Sequence, residues 1–200
     1  AEYDPDEVVE FEDSKFQALT LYYDKNNDGK LQAWEAALVT ELELSGQSIK
    51  SLRGIEYFTE LESLNCTSNL LTSLDVTNNR KLRALWCKSN RIVSLDVTPL
   101  RDLQILNCES NRLTSLDVSQ NTELVHLLCG MNNGAMTDDG YGIGTPFKSS
   151  RIGKDVGYKA LQKYYERSKS ALKQDGTLDR LRQTVKDAMS PHNTRDEFRR

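Results

Sequence analysis

One stretch of this chain repeats itself at a fixed interval. Leu61-Glu-Ser-Leu64-Asn-Cys66-Thr-Ser-Asn69-Leu-Leu71-Thr-Ser-Leu74-Asp75-Val76 returns as Leu82, Leu85, Cys87, Asn90, Ile92, Leu95, Asp96 and Val97, and again as Leu103, Leu106, Cys108, Asn111, Leu113, Leu116, Asp117 and Val118. The step is 21 residues, and a fourth copy opens with Leu124, Leu127, Cys129 and Asn132. Upstream, Leu42, Leu44, Ile49, Leu52 and Leu61 form an irregular first copy with one residue inserted, as a terminal cap would have. A unit this short cannot bury its apolar residues alone, so the copies must stack and share a core.

The Leu-x-Cys segment of each copy predicts a short strand whose Leu and Cys point inward while the residues between them point out. Each asparagine sits where the chain leaves the strand, and its amide can both donate to and accept from the turning backbone. The second apolar cluster, Leu71, Leu74 and Val76 with its equivalents, closes the far side of the coil. Cys66, Cys87, Cys108 and Cys129 fill one slot of the register. Zinc motifs pair cysteines about two to four residues apart, so buried small hydrophobes are the better reading, and no disulfide framework is implied. Outward positions form columns: Ser63, Ala84, Ile105 and His126; Asn65, Trp86, Asn107 and Leu128; Thr67, Lys88, Glu109 and Gly130. The residues expected to meet a partner are Ser63, Asn65, Arg83, Trp86, Lys88, Ile105, Asn107, Glu109, His126 and Leu128, with Trp86 as the anchor. Two plainer roles stand beside this one: Trp86 covering a neighbouring loop, and Leu128 capped by the C-terminal segment.

These motifs resemble the leucine-rich-repeat family, whose L-x-x-L-x-L-x-x-N-x-L signature is matched over residues 42–132 with Cys in the third apolar slot. The resemblance implies an α/β fold: a solenoid of 21-residue repeats with a parallel sheet, binding a protein or glycan on its concave face.

Residues 24–35, Asp-Lys-Asn-Asn-Asp-Gly-Lys-Leu-Gln-Ala-Trp-Glu, are similar to the twelve-residue calcium loop of the EF-hand family. Calcium prefers oxygen ligands, and the spacing offers Asp24, Asn26, Asp28, the Lys30 carbonyl, Gln32 and both oxygens of Glu35, with Gly29 at the sharp turn. Phe16, Leu19, Tyr22 and Tyr23 form an apolar stripe at helical spacing before the loop, and Trp34, Leu38 and Leu42 follow it, predicting a helix on each side. EF-hands of the family usually come in pairs and no second loop is present, so a structural site holding Ca2+ against the first repeat is expected rather than a switch. The hand, the Ile49-Lys-Ser-Leu-Arg-Gly-Ile-Glu-Tyr-Phe58 stretch and the Leu-x-Cys copies together resemble secreted or surface leucine-rich-repeat proteins of Bacteroides-like bacteria. That resemblance implies an extracellular or cell-surface home.

Charge divides the chain. Residues 1–129 carry 12 Lys+Arg against 21 Asp+Glu, and residues 130–200 carry 14 against 9. The acidic part argues against nucleic acid as its partner. No run approaches the roughly 18 apolar residues of a membrane span, and the first residues lack the basic-then-apolar pattern of a signal peptide. The organisation read from these features is a hand over residues 1–41, a solenoid over 42–133, a Gly-rich linker over 134–153, and a helical hairpin with a polar tail over 154–200. Gly140, Gly142 and Gly144 do not make a phosphate loop, because no strand precedes them and no Gly-Lys-Ser/Thr step follows. The predicted helices carry Val156, Leu161, Tyr164, Tyr165 and Leu172, then Leu178, Leu181, Val185, Ala188 and Met189. They read as a cap on the last repeat. The alternative is a basic effector or toxin domain, with the repeats as its targeting device. With His126 and His192 the only histidines, no nucleophile–base pattern is recognisable, and the chain is expected not to be an enzyme.

Overall fold

The computed structural model describes residues 3–132 of the 200. The linker and hairpin expected over 134–200 lie outside the described residues. Five three-residue strands, β1 (Glu41–Glu43), β2 (Ser63–Asn65), β3 (Ala84–Trp86), β4 (Ile105–Asn107) and β5 (His126–Leu128), form one parallel sheet in chain order. Leu42, Leu64, Leu85, Leu106 and Leu127 stand opposite one another across it. The first step is one residue longer than the others, as the irregular first copy predicts. Neighbouring strands are joined by a full coil rather than a hairpin, which makes the fold a solenoid.

The core follows the repeat. Every Leu of the strand slot, every Cys, and the Leu71, Leu74 and Val76 equivalents belong to one continuous buried cluster. In the Cys column the thiols are neighbours from coil to coil, each completely buried and free of disulfides. Burial pushes the Cys66 thiol up to about 12 and raises those of Cys87 and Cys108 as well. A thiol with its charged form so disfavoured packs as a small hydrophobe and is a poor nucleophile.

A chain that turns a corner every few residues leaves backbone groups unpaired, and the asparagine column satisfies them. Asn90 donates from Nδ2 to the carbonyls of Cys66 (3.0 Å) and Cys87 (3.1 Å), and its Oδ1 accepts from the Leu71 N–H at 3.0 Å. Asn111 makes the same three bonds one coil on, with Cys87, Cys108 and Ile92. Asn132 does so with Cys108, Cys129 and Leu113. Asn69 closes the first coil through the Leu44 and Cys66 carbonyls and the N–H groups of Gln47 and Ile49. Each amide therefore ties two layers together. The preceding residue takes a left-handed conformation each time, at Ser68, Ser89, Ser110 and Met131. That strain is about 1–2 kcal/mol per residue. Hydrogen bonds to the next coil hold three of these positions: the Ser68, Ser89 and Ser110 N–H groups donate to Lys88, Glu109 and Gly130. On the far side Asp75, Asp96 and Asp117 each accept from the N–H two residues on, at 2.9–3.0 Å, forming an Asx turn that explains the recurrent Asp of the Leu-Asp-Val step.

The N-terminal residues seat on the first coil. Helix α1 (Ser14–Thr20) starts at Asp13, whose Oδ1 accepts from the N–H groups of Lys15 and Phe16. The other Asp13 oxygen accepts from Lys50 N at 2.7 Å, so one side chain caps the helix and fastens it to the solenoid. Phe16 meets Phe11 edge-on at 5.1 Å and Phe58 at 6.2 Å. Gly54, at φ 108°, lies so close to Phe11 that a Cβ there would come within 2.9 Å of its ring. Val9, Phe16, Leu31, Ala36 and Val39 belong to the same cluster as the repeats. The helix expected after the calcium-type loop is shorter than its apolar spacing suggests. Helix α2 spans only Ala33–Ala36, Leu38 is exposed, and Leu42 lies in β1. The strand wins because Leu42 completes the leucine row of the sheet. Before the loop, α1 buries Phe16, whereas Leu19 is partly exposed and Tyr22 is 86% exposed.

Two outcomes follow from these ladders. Asn90→Ala leaves the buried Leu71 N–H without its acceptor and takes one of the two asparagine donors from each of the Cys66 and Cys87 carbonyls, and is expected to lower unfolding stability by about 3 kcal/mol, whereas Asp75→Ala, on the surface, costs under about 1 kcal/mol; urea unfolding measures both. None of the four thiols should react with a disulfide reagent at neutral pH in the native chain, and all four should react in denaturant.

Candidate functional site

Two places gather the side chains singled out from the sequence: the sheet face turned away from the core, and the loop over 24–35. On the sheet, alternation holds. Ala84, Ile105 and Leu128 are buried yet stand outside the core cluster that takes in Leu85, Leu106 and Leu127.

Their exposure differs from the sequence reading, which set these columns free at the surface. Ser63, Ile105, Glu109, His126 and Leu128 are buried, Ile105 completely. Asn65, Arg83, Trp86, Lys88 and Asn107 are half-buried. One cause is the sheet itself: strands about 4.8 Å apart press equivalent side chains into contact, so a small residue such as Ser63 is shielded by its column. Such shielding is strongest for short side chains. It does not account for Ile105.

Polar contacts run along the columns rather than within one strand. The Asn65 amide donates to Glu43 Oε2 at 3.0 Å, and Lys88 Nζ lies 3.4 Å from Glu109 Oε2, a carboxylate only 5% exposed. His126 is held near 4 by burial, so its ring is neutral at pH 7. The face thus combines an aromatic ring, aliphatic surface and a sheltered ion pair.

The loop is organised by its own side chains. Asp24 accepts from Asn27 N (2.7 Å) and Gly29 N (2.9 Å), Asn26 Oδ1 from Asp28 N (3.0 Å), and Asp28 Oδ1 from Lys30 N (2.8 Å). The Lys30 bond, followed by that from Gln32, holds the Asp28 carboxyl below the usual carboxylate range. Glu35, fully buried, closes the loop: Oε1 accepts from Lys25 N and Asn26 N, and Oε2 from Gln32 N at 3.0 Å. Gly29 has φ 80°, the left-handed turn the loop needs.

The side chains of Asn26, Asp28 and Gln32 contact one another through Asn26 Nδ2–Gln32 Oε1 (3.3 Å) and Gln32 Nε2–Asp28 Oδ2 (2.5 Å). Both amides present nitrogen toward oxygen here, and turning them end for end would present oxygen instead. Among the described residues, no group of three or more His, Cys, Asp or Glu is arranged to hold a metal ion. The donor set fits a calcium ion in type and order but not yet in convergence.

A third feature escaped the sequence reading. Tyr3 stacks on Tyr57 at 4.1 Å beside Trp34, bordering a cleft of about 480 Å³. Tyr57 donates from its hydroxyl to Glu7 Oε1 at 2.7 Å, and this bond and burial raise its pKa. Tyr3 and Tyr57 lie too far apart in the chain for any local motif to reveal the pair.

No family model matches the chain, and no curated protein matches it. Solved structures do. The functional domain of InlJ from Listeria monocytogenes, described as including a cysteine ladder, is 34% identical with TM-score 0.54, over 66% of this chain and 30% of that one. The internalin InlF of Listeria monocytogenes is 26% identical with TM-score 0.52, over 62% of this chain and 37% of that one. The chain therefore spans about a third of the length of these relatives. No described helix is long and apolar enough to cross a membrane. With its parallel sheet, its asparagine and cysteine columns and its likeness to the internalins, the chain folds as a leucine-rich-repeat solenoid.

Proposed function

We propose that the chain is a non-catalytic binding module of the bacterial exterior, which holds a protein against the outer face of its sheet and uses a calcium ion to brace the hand. The observation that carries this reading is the composition of that face. The register diverts Trp86, Ile105 and Leu128 from the core and sets them beside Asn65, Asn107 and the Lys88–Glu109 pair. An aromatic and aliphatic centre with hydrogen-bonding groups around it is the make-up of a protein interface. Likeness to the internalins, bacterial proteins with the same solenoid, supports the module reading and the exterior location.

In the calcium part of the proposal, Asp24, Asn26, Asp28, the Lys30 carbonyl, Gln32 and Glu35 hold the ion. Bound calcium would supply charge balance for Glu35, a buried carboxylate held by backbone N–H groups. Because Leu31, Ala33 and Ala36 on this segment pack in the shared core, ordering the loop stabilises the first coil.

Both parts are testable. Calcium at about a hundred times its dissociation constant adds about 2.7 kcal/mol of stability, a rise in Tm of about 5–10 °C that Glu35→Gln removes. Melting curves that coincide in calcium and in chelator overturn the site. For the face, Trp86→Ala should cut recovery of proteins captured by the immobilised chain at least tenfold while circular dichroism stays unchanged, and undiminished capture counts against the surface.

A further inference from the structure

We infer that the cleft beside the Tyr3–Tyr57 stack is a binding site for a quaternary ammonium group, a trimethylammonium carried on a small molecule or a side chain, held by aromatic rings in the field of Glu7 and Glu56. The site is separate from the sheet face and from the ligand set of the loop over 24–35, and it stands or falls independently of both.

Three stretches remote in the chain build the cleft. Residues 3–7 are laid against the start of α2 by backbone bonds, the Ala33 N–H donating to the Glu7 carbonyl at 2.8 Å and the Trp34 N–H to that of Pro5 at 3.0 Å. Tyr57 ends the 3-10 helix Ile55–Tyr57 of the first coil and stacks on Tyr3 with ring centroids 4.1 Å apart. Its hydroxyl donates to Glu7 Oε1 at 2.7 Å, which fixes the ring and holds that carboxylate at the stack. Trp34 is half-buried beside them, and the rings border about 480 Å³ of open space, within the roughly 300–1,000 Å³ of small-molecule sites. Aromatic residues that only fastened the N-terminal segment to the coil would close on one another and leave no room of that size.

The lining selects the chemistry of the ligand. Beyond the rings it consists of Pro5, Ala33, Ala37 and Thr59, so no described Lys, Arg or His lines it. Negative charge stands just behind: Glu7 touches the Tyr57 hydroxyl, and burial, then Glu56 and Glu7, raises the pKa of Tyr3. Arg53, a cation that also senses Glu56, is paired with Glu12 at 3.0 Å. Ring faces carry the negative part of the aromatic quadrupole, so rings backed by carboxylates attract a cation. The same lining discriminates among cations. A primary ammonium brings three donors and would meet only hydroxyls here, leaving its lost water poorly replaced. A trimethylammonium has no donor to satisfy. A neutral apolar group of the same shape gains from burial but nothing from the quadrupole or the carboxylates.

The test is calorimetric titration of the full chain with four probes: choline, its uncharged analogue in which carbon replaces the nitrogen, capped Nε-trimethyl-lysine, and capped lysine. Choline or the trimethyl-lysine should bind saturably, the tighter of the two identifying the source of the group. The carbon analogue and plain lysine should each bind more weakly than their quaternary counterparts by at least about tenfold. Tyr3→Leu and Trp34→Leu, which keep apolar volume and remove a ring, should each weaken the quaternary probe by about tenfold with circular dichroism unchanged. Glu7→Gln should weaken it by about threefold, a difference that shrinks in high salt. Equal affinity for choline and its carbon analogue overturns the inference, as does lysine binding as tightly as its trimethylated form. So does binding that survives both ring substitutions, which would put the cation elsewhere, as at Trp86. No saturable binding of either quaternary probe up to about 50 mM refutes the site outright. If a ring substitution disturbs the first coil, the comparison of the four probes on the unaltered chain still decides.

Discussion

The hydrogen bonds of the asparagine column set what the rest of the molecule can be. A coil of 21 residues must leave its strand, cross the edge of the core and return, and the groups that turn the corner face inward where water cannot serve them. One amide resolves this by donating to the carbonyls of two successive cysteines and accepting an N–H from the earlier coil. Because the bonds run between layers, no coil completes its own backbone pairing. Stacking is therefore compulsory, and the register of the leucine row and the position of the thiols follow from it. The small Cys belongs to the same constraint: its carbonyl is the one both asparagines use, so the backbone there is pinned and a bulky side chain has no freedom to move away.

A solenoid built this way has two open ends, and at the first the N-terminal residues pack on the opening coil. That packing has specific anchors, since Asp13 joins a helix cap to Lys50, Arg53 pairs with Glu12 at 3.0 Å, and the rings of Phe11 and Phe16 meet each other and Phe58 of the first coil. The exposed Arg53–Glu12 pair contributes little by itself. The aromatic contacts contribute more, because Phe16 and Phe58 are completely buried there.

Most of the fold was legible in the chain because the same local answer is written repeatedly. Leu, Cys and Asn recur at one interval, so the strand, its inward face and the inter-layer amide were each implied several times. The inserted residue of the first coil was legible for the same reason. What escaped were features determined by distant parts of the chain. Leu42 fits a helix by its spacing from Trp34 and Leu38, yet the sheet claims it, and propensity yields to a completed leucine row. The Tyr3–Tyr57 stack has no local signature. Directions of the outward columns were readable from period two, but exposure was not, since alternation says which way a side chain points and nothing of what lies above it. For the loop, ligand types and order were readable, whereas convergence on an ion depends on the orientation of the Asn26 and Gln32 amides.

The polar members of the sheet face limit what can lie on it. His126 is buried as a neutral ring, and Glu109 is buried as a carboxylate with Lys88 at 3.4 Å. Separating Lys88 from Glu109 would leave a buried charge uncompensated, at a cost of several kcal/mol. An occupant that keeps this pair intact while offering aliphatic or aromatic surface to Ile105 and Leu128 is therefore favoured. The same buried carboxylate makes the face selective, because an occupant with the right shape that breaks the pair forfeits more there than its apolar contacts return.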